Sequence, residues 1–296
     1  MYPPGTGNDR LAIGNIYVIS IYGTSKVFAA DGNDLRVKEY TADNNQLWKC
    51  IDDARNRFAF TNVGTGKYLG RDIHQHLACY ATLQGDWECI TLTALPEGGY
   101  RLSADINGRI FPTLLTSDSG GDYMRVVAES NTIVGLHQHG SQIFKRFEWV
   151  VNERLARSSS PNYDGYDKSQ HMDDAAVQFL LLHKISNVIS MNQYRLSPAE
   201  ERRLTDKGIS YKHLGVQDYR APTLYDLEQA QHSFTSHSIT LVHCGYGHGR
   251  TGTVITALQM YWGQDRTHGD YRANHVETPE QMAVLDQLRK NLGYGN

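Results

Sequence analysis

The pattern of apolar residues changes once along this 296-residue chain, near residue 150, and that change limits what it can fold into. Before it, short stretches such as NIYVIS, FAFTNV and GYRLSA alternate apolar and polar positions, as half-buried strands do. Gly, Asn and Asp punctuate them, and helical periodicity is hard to find. After it, apolar runs of strand length alternate with helical patterns, which predicts a mostly parallel α/β sheet covered on both faces. The chain is long for one core and comfortable for two. We therefore expect two domains, an all-β domain over residues 1–150 and an α/β domain over 151–296.

The all-β half repeats weakly. Each of three units opens on an alternating strand and closes on a tryptophan: Trp48, Trp87 and Trp149. The last unit is the longest, with an insertion near SNTIVGLHQHGSQ. Units of a few short strands cannot bury their faces alone, but three packed together can. On these features residues 10–150 resemble a β-trefoil of the ricin-B or fascin type, with the tryptophans capping its core. Another closed β-barrel is the alternative. The resemblance implies a targeting module for glycans, cytoskeleton or membrane lipid, or a rigid scaffold. GTGKYLG, residues 64–70, reads as a hairpin turn; it lacks the spacing and Ser/Thr of a nucleotide P-loop.

The polar stretch RLARSSSPNYDGYDKSQHMDD, residues 154–174, marks the domain boundary at its start. DDAAVQFLLLHKI follows as a helix with acidic residues in its first turn, then NVISM as a buried strand. SPAEERRLTDKG is a helix with Ser197 as N-cap, Pro198 at its first position and Gly208 after its end. ISYKHLGV and SITLVH are further strands; TLYDLEQAQHSF, TVITALQMYW and TPEQMAVLDQLRKNLG are further helices.

Between the strand SITLVH and the helix TVITALQMYW lies HCGYGHGRTG. A loop of small residues turns successive backbone N–H groups inward as a nest for an anion, and the following helix adds its N-terminal dipole. Gly245, Gly247, Gly249 and Gly252 permit that backbone, while Tyr246 and His248 line the loop. The same field stabilises a thiolate at Cys244, a nucleophile aimed at phosphorus. Arg250 is a planar fork that holds two phosphoryl oxygens. Thr251 places a hydroxyl near the sulfur, where it can hydrogen-bond the thiolate, and His243 orients the loop.

His-Cys, five residues, Arg and Thr, set between strand and helix, resemble the cysteine-dependent protein tyrosine phosphatase superfamily. Over residues 150–296 the likeness is closest to its compact dual-specificity group. The resemblance implies hydrolysis of phosphoric monoesters through a cysteinyl-phosphate intermediate, without metal or cofactor. It also implies a general acid on the loop before the nucleophile. Asp218, in VQDYRAPT directly after a strand, occupies that place, although the Trp-Pro-Asp form is absent. Asp226 stands three residues after Thr223 in a capping-box arrangement, and Glu228 falls inside a helix. HVETPEQ resembles the Glu-Thr-x-x-Gln stretch of small dual-specificity phosphatases. Gln281 there either helps to place water or belongs to a helix start capped by Thr278. Arg272 reads as a solvated arginine, with a second phosphate contact as the alternative.

Phosphoinositide phosphatases of the superfamily place lysines where this chain has Gly245 and His248. The expected substrates are therefore phosphorylated proteins, at tyrosine and serine/threonine, or small phosphate esters. A phosphoinositide or other small-molecule phosphatase, and a phosphate-sensing pseudophosphatase or trefoil binding protein, are the alternatives. Net charge is −3, which gives no general pull toward nucleic acid. Cys50, Cys79, Cys89 and Cys244 make no CxxC pair and no structural zinc spacing, which favours a reducing compartment. MYPPGTGNDRLAIG has neither the basic nor the apolar region of a signal peptide, and no apolar run approaches the ~18 residues of a membrane span. A cytoplasmic location is expected, with signal-less secretion left open.

Overall fold

The computed structural model describes residues 7–52 and 58–294; residues 1–6 of the stretch read for a signal peptide lie outside them. The chain divides into two compact units, Met1–His139 and Gly140–Asn296.

The first unit is all-β, as its alternating pattern predicts. Its strands are β1 (Ile16–Ile21), β2 (Lys26–Asp31), β3 (Asp34–Glu39), β4 (Trp48–Asp52), β5 (Phe58–Asn62), β6 (Tyr68–Arg71), β7 (Leu77–Ala81), β8 (Ile90–Ala94), β9 (Tyr100–Ile106), β10 (Arg109–Asp118), β11 (Gly121–Val126) and β12 (Val134–Gln138). Pairing runs β10-β11-β3-β7-β6-β5-β4-β1-β12-β9 and returns to β10, which closes a ten-stranded barrel; β8 pairs with β9, and β2 with β1 and β3. Inward residues such as Tyr17, Phe28, Trp48 and Phe60 are fully buried. Trp48 also donates its indole N–H to Phe28 O at 3.1 Å.

The three tryptophans do not share one role. Trp48 is core, but Trp87 is 36% exposed and lies under the Arg71 guanidinium, 4.5 Å from the ring centroid. Trp149 belongs to the second unit, where its ring meets Phe147 at 5.4 Å. The expected boundary at residue 150 would cut through β13 (Glu148–Val151), which pairs with β14 (Leu155–Ser159). The chain instead passes between units at His139–Gly140.

The second unit continues with α1 (Asp174–Leu182), β15 (Asn187–Ser190), α2 (Pro198–Thr205), β16 (Ser210–His213), α3 (Leu224–Thr235), β17 (Thr240–Cys244), α4 (Gly249–Tyr261), α5 (His268–Ala273) and α6 (Pro279–Asn291). The sheet order is β13-β14-β17-β15-β16. It is mixed rather than mostly parallel: β14–β17, β17–β15 and β15–β16 are parallel, but the β13 edge is antiparallel. A three-residue link between β13 and β14 is too short for a parallel crossover. The stretch read as a polar boundary contains β14, every residue of which is buried. Its serines escaped a hydrophobic-pattern reading, yet Ser158 and Ser159 satisfy their hydroxyls on the next residues' carbonyls at 2.7 and 2.9 Å.

Helix starts follow the sequence signals. Ser197 caps α2 with Pro198 at its first position, and Thr223 with Asp226 forms the capping box of α3. Helix α4 is buried along nearly its whole length, between the sheet and α3, α5 and α6.

Phe144 and Phe147 pack on Phe179 of α1, with ring centroids 4.9 and 5.0 Å away. A piece spanning residues 140–296 should therefore be soluble and melt cooperatively, whereas 151–296 should not. Deleting even one such buried phenylalanine costs about 3–5 kcal/mol. Size-exclusion chromatography and thermal melts of the two pieces test this; equal stability would show that the segment before residue 151 adds nothing to the core.

Candidate active site

Cys244 ends the central strand β17 at the carboxyl edge of the parallel sheet, where α/β proteins gather their ligand sites. The loop 245–248 leads into α4, so Arg250 and Thr251 stand in the helix's first turn. The Gly247 N–H donates to Cys244 Sγ at 3.2 Å. Gly247 has φ +98°, and a Cβ there would fall 2.5 Å from Ser158 O, so only glycine fits.

Arg250 is 3% exposed. Its Nη1 donates to Asp167 Oδ2 at 2.6 Å and to Val216 O at 2.9 Å; its Nη2 donates to Asp167 Oδ1 at 2.9 Å and to Asp218 Oδ1 at 2.7 Å. Nε is left as the guanidinium donor without a partner among the described residues. Burial opposes the arginine's charge, but the Asp167 hydrogen bonds, with the charges of Cys244, Asp167 and Asp218, outweigh it and hold the pKa above the ordinary arginine value. Asp167 lies in a 3-10 turn, Asp167–Ser169, and also accepts the Gln193 N–H at 3.1 Å. Its carboxylate fills the space beside Gly245, where a Cβ would come 1.9 Å from Oδ1.

The sequence reading missed Asp167. Its partner is 83 residues away, and its own neighbourhood shows only turn chemistry.

Asp218 reaches Arg250 from the turn after β16, while Asp226 is occupied in its cap and Glu228 faces His232 on α3. Tyr246 and Tyr163 meet edge to face at 6.2 Å on the loop's outer side. The Arg146 guanidinium lies 3.6 Å over the Tyr246 ring, and its Nε donates to Tyr246 O at 2.7 Å. The His248 ring stacks on His275 at 4.2 Å, and burial, with nearby cations, lowers its pKa to about 4.

His243 is fully buried, with Nδ1 3.4 Å from Cys244 O. Thr251 does not hydrogen-bond the sulfur; its buried hydroxyl has no partner among the described residues. Gln281 is the capping partner of Thr278 and also donates Nε2 to Arg220 O at 3.2 Å. Nearby, the Glu277 carboxylate lies where a Cβ on Gly249 would meet it at 2.3 Å. Arg272 is exposed on α5, apart from the loop's contacts.

If Asp167 holds Arg250 in place, Asp167→Asn should lower kcat/KM for para-nitrophenyl phosphate by about 10–100-fold, the cost of a misplaced contact near the chemistry. An unchanged kcat/KM would show that Arg250 holds itself. His243 supplies a second test. Burial lowers its pKa from 6.5 to about 4. Between those values the unfolded chain binds more protons than the folded one, so stability falls as pH drops through that window, by up to about 3 kcal/mol. His243→Gln should melt with a flatter pH dependence than the native chain between pH 6.5 and 4; parallel curves would remove His243 from the balance.

The model of a family described as PTP-SAK, the DSP-PTPase phosphatase domain of Swiss Army Knife proteins, matches residues 144–292 of the 296. No curated protein matches the chain. Similar solved structures include Tk-PTP in its active form, 23% identical with a TM-score of 0.38 over 49% of this chain and 97% of that one. PTPMT1 in complex with PI(5)P is 16% identical with a TM-score of 0.37 over 48% and 93%. Kinase associated phosphatase, with its catalytic-site cysteine replaced by serine, is 18% identical with a TM-score of 0.40 over 48% and 89%. By the domain that fills just over half its length, this chain belongs to the PTP-SAK family and is a cysteine-dependent phosphatase.

Proposed function

We propose that the C-terminal unit hydrolyses phosphoric monoesters on proteins, at tyrosine and at serine or threonine, with Cys244 as nucleophile, Arg250 as phosphoryl clamp and Asp218 as general acid. One observation carries the reading: Arg250, in the first turn of the helix that starts beyond Cys244, donates Nη2 to Asp218 Oδ1 at 2.7 Å. A phosphoryl oxygen can take that Nη2 position together with the unpartnered Nε, which frees Asp218 for the leaving oxygen. The Cys244 thiolate then attacks phosphorus; the P–S bond forms as the ester P–O bond breaks, and Asp218 protonates the departing oxygen. In the second step water attacks phosphorus, Asp218 takes its proton, and the sulfur leaves as thiolate. Gly245, Tyr246, Gly247, His248 and Gly249 surround the phosphoryl group in this reading, and their backbone N–H groups serve its oxygens.

The carboxylates of Asp167, Asp218 and Glu277 around the loop favour a single phosphate over a polyanionic inositol headgroup. Asp167 fills the space beside Gly245 that a headgroup-binding lysine would need.

For the first unit we propose a β-trefoil. The supporting pattern is that the second and third strands of each group of four form hairpins, β2–β3, β6–β7 and β10–β11. First and fourth strands pair as β1–β4 and β9–β12, and the groups join through β4–β5, β8–β9 and β12–β1. On this reading the third group closes at β12, not at Trp149.

Cys244→Ser should abolish turnover while the chain still binds phosphate. Asp218→Asn should slow hydrolysis of alkyl phosphates by roughly 10²–10⁴-fold, and far less for an ester whose leaving phenol is strongly acidic. Steady-state rates across a leaving-group series give the answer. A defect independent of the leaving group would move the acid elsewhere, and native-rate turnover by the serine variant would remove covalent catalysis. A native chain that binds phosphate but turns nothing over would leave the phosphate-sensing alternative.

A further inference from the structure

Arg157 lies in β14, opposite Val242 of β17, and is 3% exposed. Its Nη2 donates to Gly247 O at 2.7 Å and its Nη1 to Asn274 O at 3.0 Å. Among the described residues no carboxylate pairs with it. Burial pulls its pKa below the ordinary arginine value, against the fields of Glu148, Cys244 and Glu277. A buried cation without a bonded counter-charge is costly, so its retention asks for an anion that it serves.

The Gly247 residue is gripped at both ends. Its carbonyl accepts from Arg157, and its N–H donates to Cys244 Sγ at 3.2 Å. Were that segment free to turn, the carbonyl oxygen could face the nest and repel the anion there.

We propose that Arg157 is a positioning residue that holds the Gly247 carbonyl outward, keeping the loop in its anion-binding form. The inference rests on Cys244 being the nucleophile. Arg157 does not touch the substrate; it acts through Gly247. Arg250 from α4 and Tyr163 from the segment after β14 also act on the sulfur, and Asp167 and Asp218 bind that arginine. His243 and His248 flank it in the chain, and His248 faces Glu277 at 4.0 Å. All of these are unchanged in variants at 157.

The test uses the full chain as native, Arg157→Met and Arg157→Lys. Iodoacetamide labelling of the Cys244 peptide is followed by mass spectrometry over a series of tungstate concentrations, with tungstate as the protecting oxyanion. In Arg157→Met protection should need about tenfold more tungstate, the scale of one lost charge-assisted contact. In Arg157→Lys, a point charge that cannot span both carbonyls, protection should weaken by about threefold or more. Arg157→Met with native protection, even with turnover lost, overturns the proposal. Should Arg157→Met fail to fold, Arg157→Lys decides: native protection overturns it equally. The phosphatase reading fails separately, if the native chain shows no tungstate protection of Cys244 and no hydrolysis of para-nitrophenyl phosphate.

Discussion

The loop after Cys244 rests on a backbone contact that leaves no room for a side chain. Gly247 runs so close to β14 that a Cβ would meet Ser158 O at 2.5 Å and Ser158 C at 2.6 Å. From this approach the rest of the loop follows. The Ser160 N–H takes the Gly245 carbonyl at 2.9 Å, and Arg157 takes that of Gly247 at 2.7 Å. With those carbonyls drawn toward β14, the loop's N–H groups are free to face the other way, as an anion nest requires. The serines of β14 suit the contact: they are small, and their hydroxyls are satisfied on the next residues' carbonyls.

Electrostatics builds on that frame. A buried guanidinium is stabilising only when its partners have good geometry, and Asp167 meets Arg250 fork to fork. Asp167 is almost as buried as Arg250, whereas the Asp218 side chain is 55% exposed. The two acids on one arginine thus differ in kind. One is fixed in the interior with the arginine; the other stands at the surface, where packing does little to hold it.

What the sequence made legible was local. The strand–loop–helix around Cys244, the caps of α2 and α3 and the all-β character of the first half are each written within a dozen residues. What it hid was distant or polar. Asp167 and Arg157 act across more than 80 residues, and neither spacing nor periodicity links them to the loop. Strand β14 hides in a polar stretch because Arg and Ser do not look like core, though the sheet buries all five of its residues. Trp149 fitted a repeat by residue type and was claimed for the wrong unit, because aromatic spacing cannot tell which core an aromatic enters.

The close fit of Asp167 against Gly245 has an evolutionary side. A chain of this design cannot acquire a cationic residue at 245 in one step, because the new side chain would collide with the carboxylate that anchors Arg250. Losing the carboxylate first would leave the arginine without its interior partner. The two positions are therefore epistatic: a change that harms the enzyme alone becomes tolerable only alongside its companion, and effects at such touching sites do not add. A shift of this scaffold toward more highly charged substrates would have to pass through a paired replacement, and descendants that keep the aspartate should keep the glycine with it.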